Sequence, residues 1–212
     1  TEAELQGVAD FCQRHDLILV SDEIHHDLVF PGQKHYVMAN VAPGISDRLV
    51  MMTAATKTFN IAGCHTGNVI IADAKLRAMF AVRVNALGIS PNSFGMHMVT
   101  AAYSPEGAEW LDGLMGYLQT NRQIFDAGIN AIPGLRSMTL DATYLAWVDF
   151  AGAGMTAHEF IARVEKTAGI ATNYGPTFGA GGDTFLRFNI ATTRANVIDA
   201  VARMQAAFAD LQ

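Results

Sequence analysis

Short unbroken apolar runs alternate along the chain with longer segments whose apolar residues recur at helical spacing. Leu17-Ile-Leu-Val20 reads as a strand buried on both faces of a parallel sheet. Leu49-Val-Met-Met52 reads as a second buried strand, and Asn68-Val-Ile-Ile-Ala72 is a third run of the same kind. Between and around them, Leu5, Val8, Ala9 and Cys12 predict a helix over 2–15, opened by a Thr1-x-x-Glu4 capping box. Residues 31–48, with two Pro-Gly pairs, read as an excursion loop. Asp73 starts a helix to about Asn85, and a Gly/Pro-containing linker at 88–95 leads to an apolar helix over 96–103. A long helix from Glu106 to about Ala131 follows, despite Gly113, Gly116 and Gly128.

The pattern changes after the turn at Pro133-Gly134. Thr143–Asp149 predicts a strand, Thr156 an N-cap for a helix through Ala168, and Ile170–Tyr174 a short edge strand. Residues 173–182 are the most glycine-dense stretch. Phe185–Ala191 reads as a strand carrying one arginine, and Thr193 opens a last helix to Leu211. The whole reads as an α/β protein with two domains, 1–128 and 129–212.

Composition narrows the field of functions. The 212 residues are 50% hydrophobic and 16% charged, with mean hydropathy +0.20, so an extensive core is expected rather than disorder. A net charge of −6 with no basic stretch argues against a nucleic-acid surface. No apolar run reaches the roughly 20 residues of a membrane helix. Cys12 and Cys64 fall in segments that read as buried, which fits reduced thiols in a cytoplasmic protein better than a disulfide scaffold. The chain has no initiator Met and opens directly on a helix cap, so it is expected to be the C-terminal part of something longer.

Chemistry gathers where the predicted strands end. Leu17–Val20 runs into Ser21-Asp-Glu-Ile-His-His-Asp27, and Leu49–Met52 delivers Lys57 into a loop of small and apolar residues. In α/β sheets, ligands bind beyond the carboxyl ends of strands. Burying an ammonium is costly, and a lysine in such surroundings is suited to attack a carbonyl compound such as pyridoxal 5′-phosphate, PLP. An aspartate would hold a proton on the pyridine nitrogen of that cofactor. Arg187, isolated in an apolar strand, must find an acid or a ligand, and its fork matches a carboxylate bidentately. His26 and Asp27 read as structural or solvated, and Cys64 as a small buried hydrophobe.

Three motifs together, Ser21-Asp-Glu-Ile-His25, Thr56-Lys-Thr-Phe-Asn-Ile-Ala-Gly63 and Phe185-Leu-Arg-Phe-Asn-Ile-Ala191, resemble fold-type I PLP enzymes of the class I/II aminotransferase superfamily. Asp-Glu-Ile-His in place of Asp-x-x-Tyr, with Lys-x-Phe-Asn, is most similar to its MalY/PatB-like cystathionine β-lyase group. The resemblance covers essentially the whole chain. It implies part of a doubly wound large domain followed by a small α+β domain, with PLP as cofactor and an amino acid as substrate. It further implies Asp22 at the pyridine nitrogen, His25 near the phenolic oxygen, Lys57 as Schiff-base and catalytic residue, and Arg187 on the substrate carboxylate. Thr53, Thr56 and His65 are the candidate phosphate partners, and Asn173 and Tyr144 candidate liners of the substrate pocket.

The sequence also departs from the wider family. His65 stands eight residues after the lysine, where aminotransferases usually place an arginine, and Ala54 replaces the usual hydroxyl three residues before it. The lyase group also lacks that arginine, which favours carbon–sulfur β-lysis over transamination. The resemblance further implies a homodimer and an N-terminal half that supplies the phosphate loop and the ring stacked on the cofactor. The expected activity is thus a PLP-dependent C–S β-lyase of amino-acid metabolism. An aminotransferase is the alternative, and a non-catalytic binding module on the same fold is the second.

Overall fold

A computed structural model describes residues 1–211. Two units separate at Gly113/Leu114, which lies inside the long helix and ahead of the 128/129 division expected from sequence. The reason is in the helix. Its C-terminal half turns Phe125 and Ile129 into the core of the second unit, so it packs there before the chain leaves helical conformation.

In the first unit, α1 (Glu2–Arg14) begins on the expected capping box, with Glu4 N–H donating to Thr1 Oγ1. A three-stranded sheet follows, in the order β1 (Leu19–Asp22), β2 (Leu49–Thr53), β3 (Asn68–Ile70). β1 and β2 are parallel, with Leu19 opposite Leu49 and Asp22 opposite Met52. β3 runs antiparallel to β2, with Val69 opposite Met52. One sheet face is covered: Leu49 and Met51 pack with Ala9 of α1, Met38 of the short α2 (Met38–Val41) and Ile45. Val20 and Val69 remain exposed. Among the described residues β1 is thus covered on one face, and its other face, with Val20, has no covering element here.

α3 (Ala74–Ala86) starts at Asp73, whose carboxylate accepts from Leu76 N–H, and buries none of its residues. α4 (Ser93–Ala102) is capped by Asn92, and α5 (Pro105–Asn130) carries the chain out of the first unit. No helix of the described residues is long and apolar enough to cross a membrane.

The second unit is built on a four-stranded antiparallel sheet. Its order is β4 (Arg136–Ser137), β5 (Leu145–Asp149), β7 (Phe185–Asn189), β6 (Asn173–Tyr174). α6 (Ala157–Ala162), extended by a π turn, and α7 (Arg194–Ala207) cover one face. Thr156 and Thr193 cap them as the sequence predicts. Phe150, Phe160 and Phe208 meet at the centre, with the first two stacked at 4.7 Å. Along β7 the side chains alternate: Leu186 and Phe188 go into the core, while Phe185 and Arg187 share the other face.

Candidate active site

The parallel pairing of β1 and β2 brings their carboxyl ends side by side, and with them Asp22 and the Lys57 loop. Asp22, Thr53, Thr56, Lys57 and His65 line one open cavity of about 460 Å³, together with Thr66 and Asn68. Five of the sequence-predicted residues are thus brought together; His25 does not line this cavity. Asp22 is exposed, and its Oδ1 accepts from Ile24 N–H at 3.1 Å, which fixes the carboxylate at the strand end. Lys57 is half-buried, less enclosed than an apolar loop suggests.

Thr56 is buried at the cavity wall. The Thr53 hydroxyl accepts from Asn68 Nδ2 at 3.3 Å, which leaves its own proton to donate. His65 is exposed in the left-handed region, φ 44°, at the end of the turn Ala62–Cys64. Asn92 fixes that turn from the start of α4. Its Nδ2 donates to Cys64 O at 2.6 Å, while its Oδ1 accepts from Gly95 N–H. Cys64 is half-buried, with its thiol against Met98 Sδ, rather than fully buried like Cys12.

Glu23 and Asp27 anchor a set of polar contacts around the loop after β1. Glu23 is buried and takes up Ser21 Oγ, Met38 N–H and His35 Nε2 at 2.7–3.1 Å. Asp27 faces His26 Nε2 at 3.1 Å and accepts from the buried Thr58 hydroxyl at 3.0 Å. Thr58 follows Lys57 directly, so this bond ties the lysine loop to the loop after β1. The phenol of Tyr103 feels the same carboxylate: burial first, then the Asp27 charge, raises it above the ordinary tyrosine value. Two residues past the lysine, Phe59 stacks on Trp110 and meets Tyr103 edge-on.

In the second unit, β6 and β7 put Asn173 opposite Arg187. Arg187 Nη2 donates to Asn173 Oδ1 at 3.0 Å, and its guanidinium lies 4.5 Å from the Phe178 ring centre. Its Nε is buried without a protein acceptor. A buried guanidinium donor in this state is free to take a carboxylate oxygen. Tyr144 is half-buried against the core cluster, and burial raises its phenol. Phe178 is the residue here that sequence reading missed. Its only local signal is its place in the glycine-dense stretch.

The model of the class I and II aminotransferases matches residues 1–204. The chain belongs to that family. Among its relatives it is 34% identical over 96% of its length to cystathionine beta-lyase PatB of Bacillus subtilis, covering 53% of that protein. It is 32% identical over 94% of its length to protein MalY of Escherichia coli, covering 51% of that protein. Among solved structures, cystalysin of Treponema denticola, which contains pyridoxal 5′-phosphate, superposes over all of this chain and 54% of its own with TM-score 0.93 at 31% identity. The fold is therefore that of the fold-type I PLP enzymes. The chain spans about half the length of the curated relatives it matches.

The residues lining the cavity suit PLP. An amine stands ready for an aldehyde, a carboxylate for a pyridinium N–H, and hydroxyls with an imidazole for a phosphate. The volume falls within the usual range of cofactor sites, roughly 300–1,000 Å³.

Proposed function

We propose that the full-length protein is a PLP-dependent carbon–sulfur β-lyase acting on cystathionine or S-substituted cysteines, and that Lys57, Asp22 and Arg187 carry the reaction. The observation that supports it best is the single cavity that holds Lys57, Asp22, Thr53, Thr56 and His65 at the ends of β1 and β2. The names of the relatives, cystathionine beta-lyase among them, point to the same class of substrate.

In this reading Lys57 would hold the cofactor through its aldehyde, and its amine would serve as the base for the substrate α-proton. Asp22 keeps a proton on the pyridine nitrogen. Thr53, Thr56 and His65 would bind the phosphate, with His65 standing where aminotransferases usually place an arginine; the resemblance puts His25 near the phenolic oxygen, although it is not among the residues lining this cavity. Arg187, held by Asn173, grips the substrate α-carboxylate, and Tyr144 lines the substrate pocket. When bound, PLP supplies the electron sink that the amino acid lacks. Elimination would then break the Cβ–S bond, the sulfur leaving as the thiol once it takes up a proton, and water would hydrolyse the released enamine to pyruvate and ammonia.

Residues 1–128 would form part of the PLP-binding large domain and 129–212 the small domain. A homodimer in the cytoplasm is part of the same proposal; apolar side chains left exposed at Val20, Val69, Met79, Val82 and Phe94 suit further burial in the complete protein. Incubating the full-length protein with PLP and L-cystathionine tests the reading. Thiol and pyruvate release, abolished in Lys57→Ala, is the expected result. A 2-oxo acid that matches the amino donor would show instead the transamination common in this family. Neither product would leave a non-catalytic module.

A further inference from the structure

Arg187 has its guanidinium carbon over a ring that the neighbouring sheet holds in place. Phe178 ends the short turn Gly175–Phe178, and the guanidinium carbon lies 4.5 Å from its ring centre. Trp147, directly across the β5–β7 ladder from Arg187, meets Phe178 edge-on at 5.5 Å, 83° between planes. Trp147 is in turn stacked on Phe185 at 5.1 Å and 11°. Phe178 therefore takes its orientation from an aromatic pair standing on the sheet.

The loop that carries the ring is pinched at its base. A Cβ on Gly175 would overlap the Gly182 carbonyl and stand 2.7 Å from Phe185 O, and one on Gly182 would overlap the Gly175 carbonyl. Only glycine at both places lets the strands of the loop touch. Thr177 Oγ1 donates to Tyr174 O at 2.6 Å and closes the turn from the side. The result is a phenylalanine held against Arg187 and outside the core cluster of the second unit.

The consequence for the arginine is geometric. With the Phe178 ring against the guanidinium carbon, ligands reach Arg187 through the N–H donors at its edge. Asn173 takes one at Nη2, and the buried Nε–H has no protein acceptor. A planar group with two acceptor oxygens suits that edge; a neutral amine or a single hydroxyl does not.

We propose that Phe178 is a positioning residue that orients Arg187 for the α-carboxylate and thereby sets the discrimination between an amino acid and the same amine lacking its carboxylate. This rests on Arg187 being the carboxylate grip proposed above. The test uses the PLP-loaded full-length protein. Dissociation constants for an S-alkyl-L-cysteine and for its decarboxylated amine are read from the change in cofactor absorbance, which needs no particular reaction outcome. Phe178→Leu keeps an apolar side chain but removes the ring; it is expected to lower the preference for the carboxylate roughly three- to ten-fold, the scale of a cation–π contact and its orientation. Phe178→Tyr is expected to retain it.

Equal weakening toward both ligands in Phe178→Leu would make the residue merely structural and overturn the proposal while Arg187 keeps its role. An unchanged preference in Arg187→Lys would instead remove the carboxylate grip itself, and this proposal with it.

Discussion

Replacing Thr58 by valine removes one hydroxyl and almost nothing else. The side chain is 1% exposed, and valine keeps its branch and volume, so no cavity opens. What disappears is the 3.0 Å donation to Asp27 Oδ2. Hydrogen bonds to charged groups contribute about 1.5–3 kcal/mol. Asp27 is 18% exposed and keeps His26 Nε2 at 3.1 Å, so water and imidazole recover part of the loss. The expected destabilisation is therefore about 1–2 kcal/mol, roughly a 5- to 30-fold fall in the folded-to-unfolded ratio. Because Thr58 adjoins Lys57, the loosened loop should also release PLP faster. Denaturant unfolding of the cofactor-free full-length protein measures the first effect, and exchange of bound PLP against excess free cofactor the second. A double-mutant cycle with Asp27→Ala isolates the pair. A loss below about 0.3 kcal/mol, with additive single variants, would refute the tether.

Other perturbations read other parts of the site. Arg187→Lys should raise KM for the amino acid about 10- to 100-fold, the equivalent of ~1.5–3 kcal/mol, and leave the cofactor absorbance band in place; an unchanged KM would contradict the assignment. In Gly95→Ala the new Cβ would overlap Thr66 Oγ1 and lie 2.7 Å from Cys64 O. Overpacking of this kind costs ~1–3 kcal/mol and should displace the His65 turn, which equilibrium titration with PLP would report as weaker binding. Asp126 is half-buried below Ser137 Oγ, and burial raises its carboxyl above the ordinary aspartate value. A raised folded value favours the native state at low pH, and that contribution is lost as pH rises through the raised value. Asp126→Asn should therefore gain stability relative to wild type across that range, and parallel pH profiles of the denaturation midpoint would contradict it.

Local chemistry made much of this molecule legible. Thr1, Asp73, Thr156 and Thr193 cap helices through hydrogen bonds to residues three positions on, so each start could be read within a single turn of sequence. Lys57, Asp22 and Arg187 stood out because strand ends and an apolar strand are unusual places for charges. What escaped depends on pairing across the chain. The apolar run 17–20 carries no mark of which strands and helices cover each of its faces, since that depends on distant segments. Asn121 sits buried in α5 to hold Ile190 O and Thr192 O, some seventy residues away. Glu23 finds His35 across a loop, and Phe178 reaches Arg187 from a different strand connection.

Borohydride reduction of the PLP-loaded full-length protein, followed by peptide mass mapping, tests the central claim most directly. The phosphopyridoxyl mass is predicted on the peptide that contains Lys57, and its absence from Lys57→Ala should accompany loss of thiol release. A cofactor fixed to another lysine, or none fixed at all, would contradict the assignment of this cavity as the catalytic site.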